Sequence, residues 1–334
     1  MTPPATPTIT YIFEQVKDSL NQGKALQAQS LLAPLLVQYP QLADAWHLMG
    51  ISHYIANDLQ NACLAFQKAI LFNSKKPDFH ANLGLALQAN GQFDEAKSAY
   101  SLAISLEPKH TEAVFNLATL HQEQQLLHEA IDLYQRCLRL RPAHAKTHFN
   151  LGTAYAGLLQ HKEAIRHFRQ AVDLSPNHTE TWVSMASACH ALGETKLARQ
   201  CLDSALRIDP DHPAAHLNRA LLMLAEQEFE NGWLEFEWRW RTNTALSSNY
   251  RGNRPLWLGQ TPPAGLHLFI HCEQGFGDTL QCARYFKTLQ SQGVRLTVLV
   301  EPSQLRLLER MESAPKFVMP NTDLPAHDAH CPMM

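Results

Sequence analysis

The chain has 334 residues, 45% of them hydrophobic and 18% charged, an ordinary globular balance with room for two domains. Its 28 basic and 31 acidic residues leave a formal charge of −3, and no basic run is long enough to track a phosphate backbone, so nucleic acid is not an expected partner. No stretch of eighteen apolar residues occurs, and the proline-rich start, Met1 to Thr10, has neither the basic nor the apolar segment of a signal peptide, so neither a membrane-spanning helix nor a membrane partner is expected.

Residues 1–8 read as a disordered N-terminus. From residue 9 one interval organises the sequence. Ala28, Ala62, Ala96, Ala130, Ala164 and Ala198 stand 34 residues apart, and Gly232 takes the next slot. Pro40, Pro108, Pro142, Pro176 and Pro210 keep the same step, with Ser74 in the single gap. Proline is about 5% of ordinary sequence, so five hits in six equivalent slots are not accidental. Large apolar residues follow the step at Leu32, Phe66, Tyr100, Tyr134, Phe168, Leu202 and Phe236. Small residues come three later at Ala69, Ala103, Cys137, Ala171 and Ala205. A 34-residue period predicts stacked helical hairpins. Small residues let two backbones approach, the large side chain fills the space, and proline ends the second helix of each hairpin.

The predicted hairpins run over about 9–42, 43–76, 77–110, 111–144, 145–178, 179–212 and 213–243, the first of them degenerate, with Ile12 and Gln15 at marked positions. With Trp46, Met49 and Gly50, Leu83 and Gly84, Leu151, Gly152 and Tyr155, and Trp182 and Met185 near the hairpin starts, residues 9–243 resemble the tetratricopeptide repeat family. That resemblance implies a mainly helical right-handed superhelix whose first helices line a concave groove, and a protein or extended peptide as partner. On those helices Asn82, Asn116, Asn150 and Asn218 share one slot, with Ser184 between. A carboxamide both donates and accepts, so a row of them suits a peptide backbone of any sequence. The row resembles the asparagine ladder of O-linked N-acetylglucosamine transferases. The alternative is that these side chains only satisfy backbone between helices. A neighbouring column is acidic, Asp44, Asp78, Glu112 and Glu180, and reads as a solvated rim.

Four of the six tryptophans lie between 233 and 257. They predict a buried interface at the array's end, in preference to a sugar-stacking platform. Residues 244–264 lose the period and read as a linker, with Trp257 as an anchor. From 265 the period becomes strand-like. Strands are predicted over Leu266 to Cys272, Val294 to Val300 and the start of a third at Phe317 to Met319. Helices are predicted over 279–291, closed by Gly293, and 302–311, opened by Pro302. Strand, glycine turn, helix, strand is the opening of a doubly wound α/β domain.

The turn reads Glu273-Gln274-Gly275-Phe276-Gly277-Asp278-Thr279. With the string around it, residues 228–334 resemble bacterial proteins that fuse these repeats to a heptosyltransferase-like glycosyltransferase of the two-lobed GT-B fold. The resemblance implies Asp278 as general base toward an acceptor hydroxyl, and a substrate loop of Gly275, Gly277 and Thr279. Read without it, Asp278 is an N-cap of the following helix. The resemblance also implies that only part of the first lobe is present, with one sheet edge open, and that the donor-binding lobe is missing. The chain alone is then expected to be inactive, with a nucleotide-sugar donor implied only for a full-length parent enzyme and no cofactor of its own.

The seven cysteines form no C-x-x-C pair, and Cys63, Cys137 and Cys189 occupy small or buried repeat positions, so they read as reduced core thiols. The 18 histidines read as scattered, and no metal is assigned. A cytoplasmic location is expected. The function expected is a peptide-binding scaffold. The alternative is the N-terminal portion of an active glycosyltransferase that presents a protein acceptor to a nucleotide-sugar.

Overall fold

The computed structural model describes residues 9–242, 252–272, 276–311, 314–320 and 322–333. The chain divides into two compact units, Met1–Asp209 and Pro210–Met334. The first holds six antiparallel helical hairpins. In chain order they are α1 (Ile9–Asn21) with α2 (Ala25–Gln38), α3 (Ala43–Ile55) with α4 (Leu59–Phe72), and α5 (Pro77–Ala89) with α6 (Phe93–Leu106). Next come α7 (Thr111–Glu123) with α8 (Leu127–Leu140), α9 (Ala145–Gly157) with α10 (His161–Leu174), and α11 (Thr179–Ala191) with α12 (Thr195–Ile208). Every first helix starts 34 residues after the last, and so does every second helix.

Packing explains the step. Leu32, Phe66, Tyr100, Tyr134, Phe168 and Leu202 are all at most 2% exposed. Each such burial stabilises by roughly 1.5–3 kcal/mol. The rings lie on the first-helix backbone. A Cβ added at Gly50, Gly84 or Gly152 would come within 2.6–2.7 Å of Phe66, Tyr100 or Phe168. The two tyrosines also carry a repeated bond: Tyr100 Oη donates to Gln88 Oε1 at 2.9 Å, and Tyr134 Oη to Gln122 Oε1 at 2.8 Å.

The turn between the two helices of each hairpin has its own column. Gly23, Asn57, Gly91, Gln125, Leu159, Gly193 and Gln227 stand 34 apart, and all have φ between +59° and +78°. The left-handed conformation reverses the chain within three residues, and glycine adopts it without the penalty a side chain incurs.

Seven of the 18 histidines are not scattered, as the sequence suggested, but stand in two columns of the repeat. One column closes the joint between hairpins. Trp46 Nε1 donates to the Pro40 carbonyl at 2.7 Å, His80 Nε2 to Ser74 at 2.8 Å, His148 Nε2 to Pro142 at 3.1 Å, and Trp182 Nε1 to Pro176 at 2.8 Å. In the second unit His216 Nε2 donates to the Pro210 carbonyl at 2.7 Å. Each donor sits six residues after its acceptor. Val114 holds this slot in the fourth hairpin and its side chain has no N–H to offer; there Arg136 reaches over from α8 to the Pro108 carbonyl at 2.8 Å. A second column, His110, His144, His178 and His212, stands just before the first helices. His110 and His212 accept from the backbone N–H three residues on, at 3.1 and 3.2 Å. His144 and His178 bond instead to the hydroxyls of Thr147 and Thr181, at 2.6 and 2.7 Å.

The second unit begins with α13 (Pro213–Ala225) and α14 (Phe229–Phe236), and the latter tightens into a 3-10 turn over Glu237–Arg241. The tryptophans there split. Trp238 stacks on His216 with ring centroids 3.7 Å apart, the Arg239 guanidinium sits over Phe236 and Trp240, and Trp233 is 49% exposed. Glu235 bonds His216 and Arg219. Burial would raise the Glu235 carboxyl, but the bonds from His216 and Arg219 outweigh it and hold the carboxyl below its usual range.

Then follow β1 (His267–Cys272), α15 (Phe276–Cys282), a 3-10 turn at Ala283–Tyr285, α16 (Phe286–Ser291), β2 (Arg295–Leu299), α17 (Pro302–Leu308), β3 (Lys316–Val318) and β4 (Ala329–Met333). The sheet order is β3-β2-β1-β4, with every pairing parallel. Leu268, Phe269, Ile270 and His271 are all at most 5% exposed, as expected for a central parallel strand covered on both faces. Pro302 opens α17 inside a capping box of Glu301 and Gln304, and Gly293 follows α16 at φ +81°. The sequence missed β4, because a proline near the end of a short run argues against a strand. The outer edge of β4 is covered in part: Trp257 N–H donates to the His330 carbonyl at 2.8 Å, and His330 N–H to the Pro255 carbonyl at 3.0 Å. Trp257 itself packs on the core formed by the sheet and its helices.

Candidate functional site: the face of the first helices

The asparagine slot falls five residues after the start of each first helix, on a half-buried face. Its members differ in what they have left to offer. Asn82 Nδ2 donates to His47 Nε2 at 2.7 Å. Asn150 Nδ2 donates to Tyr134 Oη at 3.2 Å, which leaves its carbonyl oxygen available. Asn116 and Ser184 make no side-chain hydrogen bond among the described residues, so Asn116 keeps both donor and acceptor. Asn218 is half-buried on α13 in the second unit. Asn82 and Asn150 thus each donate to a neighbouring side chain and not to backbone, while Asn116 and the oxygens of Asn82 and Asn150 have no hydrogen-bond partner among the described residues.

His47 explains the first of these. Burial pushes its pKa down to about 4, outweighing the nearby carboxylates of Asp78 and Asp44. It is therefore neutral at ordinary pH and can accept from Asn82. Its ring is held between Phe66 and Phe79, at centroid distances of 5.7 and 4.6 Å.

Two cavities meet at Asn150. One, of about 270 Å³, is lined by Phe115, Ala145, Lys146, Phe149, Ala171 and Thr181 among others, and is mostly apolar. The other, of about 430 Å³, is lined by Thr119, Gln122, Glu123, Gln125, Leu127 and Thr153 among others. The two phenylalanines precede Asn116 and Asn150 directly, 34 residues apart, a signal the sequence carried unread. The histidine column fixes their rings edge-on: Phe115 meets His144 at 5.4 Å and Phe149 meets His178 at 5.1 Å.

The acidic column is exposed, and three of its members have partners. Asp78 accepts from His110 Nε2 at 3.0 Å, Asp44 lies 3.9 Å from Lys76 Nζ, and Glu112 lies 3.9 Å from Arg141. Asp44 and Glu112 each face a cation at the far end of their own hairpin, and Asp78 faces the His110 ring, whose Nδ1 accepts from the Ala113 N–H and which is therefore neutral. Such exposed pairs contribute little stability, about 0–1 kcal/mol. Lys146 occupies the same slot with the opposite charge. It makes no ion pair among the described residues.

The expected second site is less defined. Gly275 and the side chain of Asp278 lie outside the described residues. Gly277 and Asp278 fall in the first turn of α15, which starts at Phe276, so Asp278 is inside the helix and not at its N-cap. A Cβ on Gly277 would meet nothing within 4 Å, so no close approach requires glycine there. Thr279 is buried, at 1% exposed. No cluster of three or more metal-ligating side chains occurs among the described residues. No described helix is long and apolar enough to cross a membrane.

Tetratricopeptide-repeat family models match residues 77–110, 110–177 and 160–222. Residues 77–222 are tetratricopeptide repeats. Solved structures with a similar fold include that of the APC/C hetero-tetramer Cut9–Hcn1, at a TM-score of 0.58 and 18% identity over 70% of this chain and 46% of that one. PilF of Pseudomonas aeruginosa matches at a TM-score of 0.54 and 19% identity, over 60% of this chain and 90% of that one. Mouse superkiller complex protein 3 is 32% identical over 73 residues, which are 22% of this chain and 5% of that protein. The chain thus matches less than half of Cut9–Hcn1 and a small part of the mouse protein.

Proposed function

We propose that the protein is an interaction scaffold that binds an extended peptide in a groove lined by its first helices, with Asn116 and Asn150 holding the peptide backbone. The observation that carries this reading is the unspent capacity of the asparagine column. Asn116 offers an N–H donor and a carbonyl acceptor, and Asn150 offers its carbonyl, on adjacent first helices, and Asn150 lines both cavities. An extended chain presents alternating N–H and C=O groups, the complement such a row requires. The free buried thiols Cys63, Cys137, Cys189 and Cys201 support a reducing compartment, and with it the cytoplasmic location we propose.

The test is titration calorimetry of the full chain against a pool of unstructured peptides, repeated with the Asn116→Ala/Asn150→Ala double variant. Loss of two backbone contacts should weaken binding about tenfold or more. Unchanged affinity in a folded double variant sinks the reading.

A second reading has one observation in its favour. The parallel sheet reverses its direction of growth between β1 and β4, the arrangement at which doubly wound domains bind nucleotides. On that reading the segment from β1 onward is the start of a glycosyltransferase lobe, with Asp278 as its base. Titration with nucleoside diphosphates and nucleotide-sugars distinguishes it: heat from a nucleotide that Asp278→Asn alters would support it, and no heat from any of them would remove it.

A further inference from the structure

The groove reading leaves open what such a peptide carries, and the region around Asn150 answers part of that. Resting on that reading, we propose that the cavity between Phe115 and Phe149 takes one large aromatic side chain of the bound peptide, and that Lys146 takes a carboxylate beside it.

Three observations converge. The cavity, about 270 Å³, is walled by two phenylalanine rings and the small side chains of Ala145 and Ala171, so it favours an apolar guest. Its walls are fixed before any ligand arrives. His144 and His178 hold the two rings edge-on, and Thr147 and Thr181 hold the histidines. A pocket whose walls need no ordering loses less on binding. Charge supplies the second half. Asp44, Asp78 and Glu112 make this slot acidic in the earlier hairpins. Lys146 breaks that pattern at the rim of the cavity, exposed and without an ion pair among the described residues. Asn150, which lines the same cavity, sets the backbone beside both. An aromatic side chain with an aspartate or glutamate near it satisfies all three.

The probe is a set of N-acetylated, C-amidated serine–glycine 12-mers, each with one tryptophan and an aspartate scanned through the six positions around it. Matched sets replace tryptophan by alanine, or aspartate by asparagine. Binding to the full chain is read by calorimetry, with far-UV circular dichroism as a check on each variant. The best Trp/Asp peptide should bind about tenfold tighter than its Ala/Asp and Trp/Asn partners. Lys146→Met should abolish the aspartate preference and keep the tryptophan preference. Ala145→Leu, which fills the cavity from its rim without removing a packed ring, should do the reverse. If all peptides bind alike while Asn116→Ala/Asn150→Ala still weakens every one, the subsite is wrong and the groove stands. Preferences that persist unchanged in both single variants overturn the subsite as well. If no peptide binds the wild-type chain, the groove reading falls and takes the subsite with it.

Discussion

In the first unit, side chains find their partners within about one repeat. Asn82 reaches back 35 residues to His47, and Arg136 reaches back 28 to Pro108. In the sheet of the second unit, His267 N–H donates to Asp328 across 61 residues, and β1 pairs with β2 on one side and β4 on the other. The two regions therefore respond differently to the same kind of damage. An array built from near neighbours spreads its stability along its length, whereas a small parallel sheet depends on a few distant pairings that form together.

The largest expected effects test that contrast directly. Tyr100→Ala empties a fully buried site in the first unit and should cost about 3–5 kcal/mol, while Leu268→Ala in β1 should cost about 2–5 kcal/mol. Hydrogen exchange read by segment should show faster exchange around α5 to α7 in the first variant. In the second it should rise across all four strands and leave residues 9–106 unchanged. Equal loss of protection everywhere in both variants would erase the distinction.

Acid should come next. Burial pushes His47 and His167 in the first unit, and His271 in the second, down to about 4 from an ordinary 6.5. The folded state therefore prefers these rings neutral. The unfolded chain takes up protons first, so stability is full above about pH 6.5, falls as pH drops toward 4, and levels below. The loss per ring is on the order of 1–3 kcal/mol. Denaturant melts between pH 7 and 4 should show it, and His47→Gln should flatten the slope in the first unit only.

Gly84→Ala should cost about 1–3 kcal/mol, because its Cβ would meet the Tyr100 ring at 2.7 Å. His80→Leu should cost about 1 kcal/mol by leaving the Ser74 carbonyl without its donor. The smallest effect is a gain. Leu159 is 77% exposed and sits at φ +59°, so Leu159→Gly should stabilise by roughly 0.5–1 kcal/mol in the same melts.

The helical hairpins were legible because alanine, the aromatic and proline each answer to a contact inside one repeat. The joints were less so. Tryptophan and histidine share a slot at 46, 80, 148, 182 and 216 for a reason no hydropathy scale registers: both offer a ring N–H at the same reach. The left-handed column was hidden by Gln125, Leu159 and Gln227, residues that give no turn signal. In the second unit the first three strands showed as apolar runs, but β4 did not, since its place is set by pairing with β1 and not by its own residues. At the site, the asparagine column was visible, whereas the division between spent and open carboxamides depends on His47 and Tyr134, which the spacing does not connect to it.

The carbonyl-to-ring closure at each joint makes the array divisible. Deleting residues 77–110 would splice Lys76 to Thr111 and set the Ser74 carbonyl six residues ahead of Val114, the one member of the column that cannot donate. Arg136 travels with that hairpin and already serves the equivalent carbonyl of Pro108. Each hairpin thus carries the means of closing onto whatever precedes it, and the array can lengthen or shorten by whole steps without any seam being redesigned.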